Sequence, residues 1–475
     1  MDAEQKNTAV RSAKKLREEK LTEPKTRQQL LDRIWEDLGF KDSDTGLTTK
    51  QKKTITKILA DKREALSLTY NDLAKVKGVT MKIPTGDAAP ICVKSRPVPP
   101  HLLEVVDNQV KRWISQGVAA KQTSPWGAPL VIVPKANRGW RLAVDFRALN
   151  AVTEGDARNV ANISEQIAKV RGDPKKPLRF FASIDLSEAF HSVPIEPTDV
   201  PKTGFWTTVG QCMFLRMPFG LKSAPATFHE VVMKLTDLMK QKNPGDNTLA
   251  YFDDLLLTES EFEPFIHRLK LLLDAIIEIG LKIQVRKANF STKGVKWLGH
   301  QLSAEGLKPD PDRMRALKEW PTPKTVRDVA GLFGLCQTFA KWIPLYAQRV
   351  KNMRQLLKKG QTEGARDFKS PIEWTEEAEQ EKKDIIDTLT SEPIMGHVDI
   401  SKEAHPLILT CDTSKYGIGA TLSQYQDDKG KEVIISYNSQ KLTETQATDS
   451  DPSDSLNTFP LLTYPKPIAI YTFGT

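Results

Sequence analysis

The run NTLAYFDDLLLT, residues 247–258, is almost wholly apolar yet carries two adjacent carboxylates, Asp253 and Asp254, at its centre. Neighbouring like charges repel and resist desolvation unless a cation lies beside them. The run therefore permits two arrangements: an exposed hairpin tip, or a hairpin that holds a metal ion. Apolar residues flank the doublet on both sides, and Asp tolerates turn backbone geometry. The segment reads as two short strands around a tight turn.

Mixed α and β signals surround this hairpin. The runs APLVIVPK, WRLAVDF and LRFFASIDL have strand texture, whereas SAPATFHEVVMKLTDLM carries Phe228, Val231, Leu235 and Leu238 on one helical stripe behind Ser223, a potential cap. A second helix, EPFIHRLKLLLDAIIEIG, stops at Gly280 and returns as a strand through LKIQV. Upstream, RQQLLDRIWEDLGF and TKQKKTITKILADKREAL have helical periodicity, behind a lysine-rich start expected to be mobile or loosely helical. Downstream, DPDRMRALKEW and TVRDVAGLFGLCQTFAKWI are helical, and PLILTCDTSKYGIGATLSQYQDDKGKEVIISY reads as three antiparallel strands.

A chain of 475 residues exceeds one ordinary core, and Lys+Arg 69 against Asp+Glu 60 gives a formal charge of +9, as suits a protein that approaches a polyanion. Four scattered cysteines, Cys92, Cys212, Cys336 and Cys411, form no CxxC pair, which points to a reducing intracellular setting. No signal-peptide h-region or membrane-length apolar run is present. The isolated histidines give no zinc pattern.

Metal-dependent nucleotidyl transfer needs carboxylates that hold two divalent cations, and Mg²⁺ favours such oxygen donors. Asp185 in FFASIDLSEAF, at the end of a strand-like run, is the candidate third acid. Taken singly, acids in such positions are far more commonly structural than metal ligands.

The segments ASIDLSEAFHSVPI, KTGFWTTVGQCMFLRMPFGLKSAPATFHEVV, YFDDLLL and VKWLGHQLSAEGLKPDPDRMRALKEWPTP follow in this order. Together they resemble the reverse transcriptases of LTR retrotransposons, of the gypsy type. The resemblance implies an α+β right-hand polymerase with a partial RNase H-like α/β domain at its C-terminal end. It divides the chain into an N-terminal helical or mobile extension (1–80), fingers and palm (81–305), thumb (306–362), a connection (363–403) and the partial RNase H-like region (404–475). It makes Asp185, Asp253 and Asp254 catalytic metal ligands for Mg²⁺, with Mn²⁺ as an alternative. Phe190 becomes the ring beneath the nucleotide sugar that excludes a 2′-hydroxyl; without that context it reads as a core aromatic. Lys135 and Arg141 match triphosphate-binding residues of the fingers, Phe219 and Gly220 a nucleotide-packing turn, and Lys287 a lysine that protonates departing pyrophosphate. Trp297, Leu298, Gly299 and His300 match the hairpin that grips the primer end. Gly331 matches a thumb position that tracks the minor groove of a duplex.

The implied activity is RNA-directed DNA synthesis from a primer 3′-hydroxyl. Its partners would be an RNA template, a DNA primer, the RNA–DNA hybrid, dNTPs and other products of the same polyprotein, with no membrane. The setting would be intracellular, in the cytoplasm, a virus-like particle or the nucleus. Asp412 in LILTCDTSKYGIGATLSQ matches the first RNase H acid, but the following ATDSDPSDSLNTFPLLTYPKPIAIYTFGT offers no amphipathic helix. RNase H activity is therefore not expected of this chain, and the terminal segment reads as an extended, edge-strand piece. The alternative reading is a domesticated, non-catalytic protein that keeps a polymerase shape to bind nucleic acid or a partner. The three retained acids count against it, because a binding module gains nothing from repelling carboxylates in an apolar hairpin.

Overall fold

The computed structural model describes residues 23–69, 72–134, 140–155, 163–172, 175–358, 361–362, 365–391, 395–399, 403–414, 417–426, 431–441 and 468–474. The expectation for residues 1–22, and that for Lys135, lie outside them. The chain forms two compact units, one from residues 1–166 and 180–292, the other from 167–179 and 293–475.

The first unit begins with helices α1 (Arg27–Asp37) and α2 (Thr49–Asp61). Both start at a reciprocal capping box, Thr26 with Gln29 and Thr48 with Gln51, which satisfies otherwise orphaned backbone N–H groups. They are not an appendage. Ile34, Ile55 and Leu59 are fully buried in the same core as Ala182, Ile184 and Leu255, and each such side chain contributes about 1.5–3 kcal/mol. The chain leaving α2 is tied down by Ser67 N–H donating to the Ile283 carbonyl (3.0 Å) and Ile283 N–H donating to that of Ala65 (2.7 Å). The apolar stripes that define these helices in the sequence are the surface that joins them to the centre of the unit.

Helix α3 (Leu103–Ser115) precedes strand β1 (Ala119–Lys121), the hairpin β2 (Leu130–Pro134) and β3 (Trp140–Val144), and helix α4 (Arg147–Val152). Strands β4 (Phe180–Asp185), β5 (Phe205–Thr207) and β6 (Gly210–Phe214) follow, then helix α5 (Ala224–Lys242). Ser223 does not cap α5; its hydroxyl donates to the Lys82 carbonyl at 3.3 Å. Next come β7 (Leu249–Tyr251), β8 (Asp254–Glu259), helix α6 (Phe262–Ile279) and β9 (Asn289–Ser291).

The central sheet has the order β9-β4-β8-β7 and is antiparallel throughout. Helices α5 and α6 pack against it, with Phe265, Leu269, Leu272, Leu273 and Ile276 of α6 fully buried. Gly280 ends α6 in the left-handed conformation (φ 86°), and a Cβ there would stand 2.0 Å from the Lys75 carbonyl oxygen. Only glycine meets both demands.

The second unit holds an antiparallel meander, β10 (Val295–Trp297), β11 (His300–Ser303) and β12 (Gly306–Pro309). Its longer helices among the described residues are α7 (Pro311–Lys318), α8 (Val326–Gln337), α9 (Lys351–Lys358) and α10 (Glu376–Ser391). A further sheet comprises β13 (Leu407–Ser414), β14 (Gly417–Tyr425), β15 (Glu432–Lys441) and β16 (Ile468–Gly474) in the order β15-β14-β13-β16. The three antiparallel strands read from the sequence are present as β13, β14 and β15, and β16 is a fourth that joins them. The terminal segment is an edge strand as expected, and it pairs parallel with β13.

Candidate active site

Strand β4 delivers Asp185 at its end, and the β7–β8 turn delivers Asp253 and Asp254. Asp185 lies directly opposite Asp254 in the β4–β8 register, and Leu186 N–H donates to the Asp253 carbonyl at 2.8 Å. The turn between Tyr251 and Asp254 places its left-handed conformation on Phe252 (φ 50°), not on an aspartate. A bulky residue with positive φ is strained, and such strain persists only where surroundings over-determine it. Here they do: Leu255, Leu256 and Leu257 are all 1 % exposed or less, so both faces of β8 are covered. The apolar flank that follows the doublet is core, and it anchors the carboxylates.

The short turn Val285–Lys287 brings Lys287 to this edge, and its Nζ donates to both carboxylate oxygens of Asp185 (3.0 and 3.1 Å). Gln284 N–H donates to the Asp185 carbonyl at 2.9 Å and fixes that turn against β4. Burial raises the Asp185 carboxyl above its ordinary range, against the Lys287 bond and charge, and the Asp253 charge raises it further. Asp254 is pushed up to about 6, by burial first and then by the charges of Asp253 and Asp185. Three carboxylates thus share one edge with one ammonium.

Among the described residues no three His, Cys, Asp or Glu side chains converge into a ready metal cage. The donor set still fits a hard divalent cation. It is all oxygen and under-compensated in charge, and Mg²⁺ takes one or two carboxylates, waters and substrate phosphates in preference to an all-protein cage. Asp254 also supplies a pH test. Its carboxyl binds a proton more tightly folded than unfolded, so ionisation opposes folding; the opposition is absent below the ordinary value of 3.8 and complete above about 6. In metal-free buffer, the melting-temperature advantage of Asp254→Asn over the parent should grow as pH rises from about 4 to about 7, and Mg²⁺ should diminish it. A difference that is flat over that range would contradict the assignment.

Phe190, five residues after Asp185, belongs to an aromatic shelf. Phe190 packs on Phe219 (centroids 4.8 Å) and stacks on Phe228 (5.5 Å), while the Arg141 guanidinium sits 4.6 Å over the Phe219 ring. Three residues distant in sequence, Arg141, Phe190 and Phe219, are therefore neighbours. Gly220 has φ 94°, and its carbonyl accepts from Asn150 Nδ2 at 2.8 Å, while Asn150 Oδ1 accepts from Lys222 N–H at 2.8 Å. Asn150 ties α4 to the MPFG turn, and sequence reasoning missed it. Its only sequence signal was an amide beside VDFR. A cavity of about 370 Å³ is lined by Asp72, Arg112, Glu188, Gln284 and Arg286 among others.

In the second unit, Leu298 (φ 48°) and Gly299 (φ 74°) form the two-residue turn between Trp297 and His300, a geometry with both central residues left-handed. His300 Nδ1 lies 2.7 Å from the Leu298 carbonyl, to which it can only donate. Burial, helped by the Lys341 charge, lowers the His300 imidazole to about 3, so it is neutral near pH 7. Gly331 faces an internal neighbour: a Cβ there would be 3.0 Å from the Trp320 ring. Gly334, nearly one turn on, has nothing within 4 Å and is the open small residue of α8. Asp412 stands on β13 opposite Gly419 of β14 and Phe473 of β16. The strand next to it, residues 468–474, contains no carboxylate. Among the described residues no helix is long and apolar enough to cross a membrane.

An antiparallel sheet that presents acids at a strand end and at the adjacent hairpin turn offers the oxygen donors that metal-dependent nucleotidyl transfer uses. A family model described as reverse transcriptase (RNA-dependent DNA polymerase) matches residues 133–302, and one described as the RNase H-like domain found in reverse transcriptase matches 374–451. The chain is similar to the retrovirus-related Pol polyprotein from transposon opus of Drosophila melanogaster, 32% identical over 375 residues that cover 78% of this chain and 36% of that protein. It is also similar to that of transposon gypsy from the same organism (28%, covering 78% and 36%) and to the Tf2-3 polyprotein of Schizosaccharomyces pombe (25%, covering 78% and 26%).

The chain belongs to the gypsy-type LTR-retrotransposon reverse transcriptases, and it spans about a third of the length of the relatives it matches. Reverse transcriptases generally use divalent metal ions. Its α+β right-hand polymerase fold is shared with foamy viral protease-reverse transcriptase. In complex with dsDNA that protein matches with a TM-score of 0.78 at 21% identity, over 95% of this chain and 90% of that one. In complex with an RNA/DNA hybrid it matches with 0.78 at 20% identity, over 95% and 58%.

Proposed function

We propose that the chain is an RNA-directed DNA polymerase that extends a primer 3′-hydroxyl with dNTPs on an RNA or DNA template. The observation that carries this reading is that one sheet edge presents Asp185 opposite Asp254, beside Asp253, while Phe190, five residues on, packs on Phe219 beneath Arg141. Asp185 and Asp253 would hold two Mg²⁺ ions, with Mn²⁺ as an alternative and Asp254 more peripheral. Such ions activate the attacking hydroxyl and offset charge on the leaving group. The protein's own residues position and discriminate. Arg141 contacts the triphosphate, with Lys135 as its companion from the fingers. Lys287, held on Asp185 before substrate binds, is placed to give a proton to pyrophosphate.

Residues 81–305 act as fingers and palm, with the turn from Trp297 to His300 meeting the primer end, and residues 306–362 act as thumb. The α8 face at Gly331 and Gly334 meets the wide, shallow minor groove of the RNA–DNA hybrid, with Gly334 giving the closest approach. Residues 363–403 connect to the partial RNase H-like region, 404–475. That region is read as inactive, because the strand beside Asp412 offers no second acid. Residues 27–61 of the N-terminal segment serve the stability of the palm.

Primer extension on a homopolymeric RNA template with Mg²⁺ and the complementary dNTP tests the assignment; folded protein that incorporates nothing would overturn it. Phe190 gives a finer test. Phe190→Val should lower the preference for dNTP over rNTP by about tenfold or more, since one lost side-chain contact is worth at least that in discrimination. An unchanged preference would remove its steric role.

A further inference from the structure

Glu188 lies three residues after Asp185 and two before Phe190, and it adopts a left-handed backbone (φ 45°) that disfavours every residue with a Cβ. The chain before it is fastened by Leu186 N–H on the Asp253 carbonyl (2.8 Å) and Ser187 N–H on the Lys282 carbonyl (2.7 Å). The chain after it turns directly into the short helix Phe190–Ser192. Glycine would make this reversal without strain, yet the position carries a carboxylate with both oxygens engaged. Oε1 accepts from Arg112 Nη2 of α3 at 2.6 Å, and Oε2 lies 3.1 Å from His191 Nδ1. The His191 ring meets the edge of Phe219 (5.6 Å, 76°), on which Phe190 also packs.

We infer that Glu188 is a positioning residue for sugar selectivity: through Arg112 and His191 it holds the reversed backbone that sets the height of the Phe190 ring. This rests on the polymerase reading above and adds a determinant of specificity to it. Strained residues that persist at a site are a mark of such pre-organisation. A purely structural ion pair would need neither the strained backbone nor the contact of His191 with Phe219. The His191 bond, with the Arg112 charge, holds the Glu188 carboxyl below its ordinary range against the opposing effect of burial.

The test measures kcat/KM for dNTP and rNTP on the same primer–template. Arg112→Met and Glu188→Ala should each lower the dNTP-over-rNTP ratio by about tenfold, chiefly through better use of rNTP. Arg112→Lys should keep the parental ratio. In a Phe190→Val background, Arg112→Met should cause no further fall, because residues acting through one another are not additive. Should Arg112→Met or Glu188→Ala melt before assay, Glu188→Gly supplies the measurement, since it relaxes the backbone while removing the carboxylate. Its ratio should fall too. A parental ratio in folded Arg112→Met or Glu188→Gly would overturn the inference while leaving the polymerase reading intact. Absence of dNTP incorporation by the parent protein would sink both.

Discussion

Asp253→Asn is expected to slow deoxynucleotide incorporation by at least about 10³-fold while leaving the protein folded, because one lost electrostatic contact at a reacting centre costs roughly 10²–10³ and a metal ligand costs more. The reason is local. The Asp253 carbonyl accepts the Leu186 N–H, and that main-chain bond survives the substitution, as does the Phe252 turn. Only the negative charge is lost. Asp253 also raises the carboxyls of Asp254 and Asp185, so its removal relieves repulsion between half-buried acids. The variant should therefore be inactive in primer extension, yet melt at or above the parental temperature in metal-free buffer. A variant that loses activity only because it unfolds would show that Asp253 is part of the scaffold. One that retains activity would show that the doublet does not hold the reacting metals.

Arg268→Met should have the largest effect on stability, about 3–5 kcal/mol, because it strips the partner from a buried carboxylate. Arg268 of α6 is 4 % exposed, and the side chains of Asp246 and Arg268 are 2 % and 5 % exposed. Its guanidinium donates to Asp246 (3.1 Å), Glu259 (2.6 Å), the Thr258 carbonyl (2.9 Å) and the Thr248 hydroxyl (3.2 Å). These acceptors flank β7 and β8 at the end opposite the doublet, so one side chain closes the open end of the hairpin. A fall in melting temperature on the order of 10 °C is expected. Adding Asp246→Leu should recover part of it, since the uncompensated charge is then gone. A loss below about 1 kcal/mol for the single change would mean that water reaches Asp246.

Arg268 shows where sequence reading stops. Within EPFIHRLKLLLDAIIEIG it is one polar residue of an amphipathic helix, and nothing local distinguishes it from a solvated arginine. Asn150 is similar: its two bonds reach the MPFG turn some 70 residues away. The docking of α1 and α2 was also hidden. Their apolar stripes are legible as helical periodicity, but the stripe does not say which surface it covers. The reversal at Glu188 leaves no compositional trace, because the residue that would advertise it, glycine, is absent. The parallel pairing of β16 with β13 depends on a partner distant in sequence.

What the sequence determined by itself was the local material and the chemistry on offer. Alternating apolar runs set the strands and three- to four-residue periodicity the helices. An acid doublet in an apolar run demanded either solvent or a cation, and the ordered motifs pointed to the polymerase class. What only the tertiary structure decided was which charges meet. Asp185 and Lys287, 102 residues apart, share two hydrogen bonds because β4 and the Val285–Lys287 turn are joined by backbone bonds. The physical reason is range. Periodicity and turn chemistry act over a few residues, whereas electrostatic coupling depends on distance in space and on burial, and both are set only when the sheet and its covering helices close.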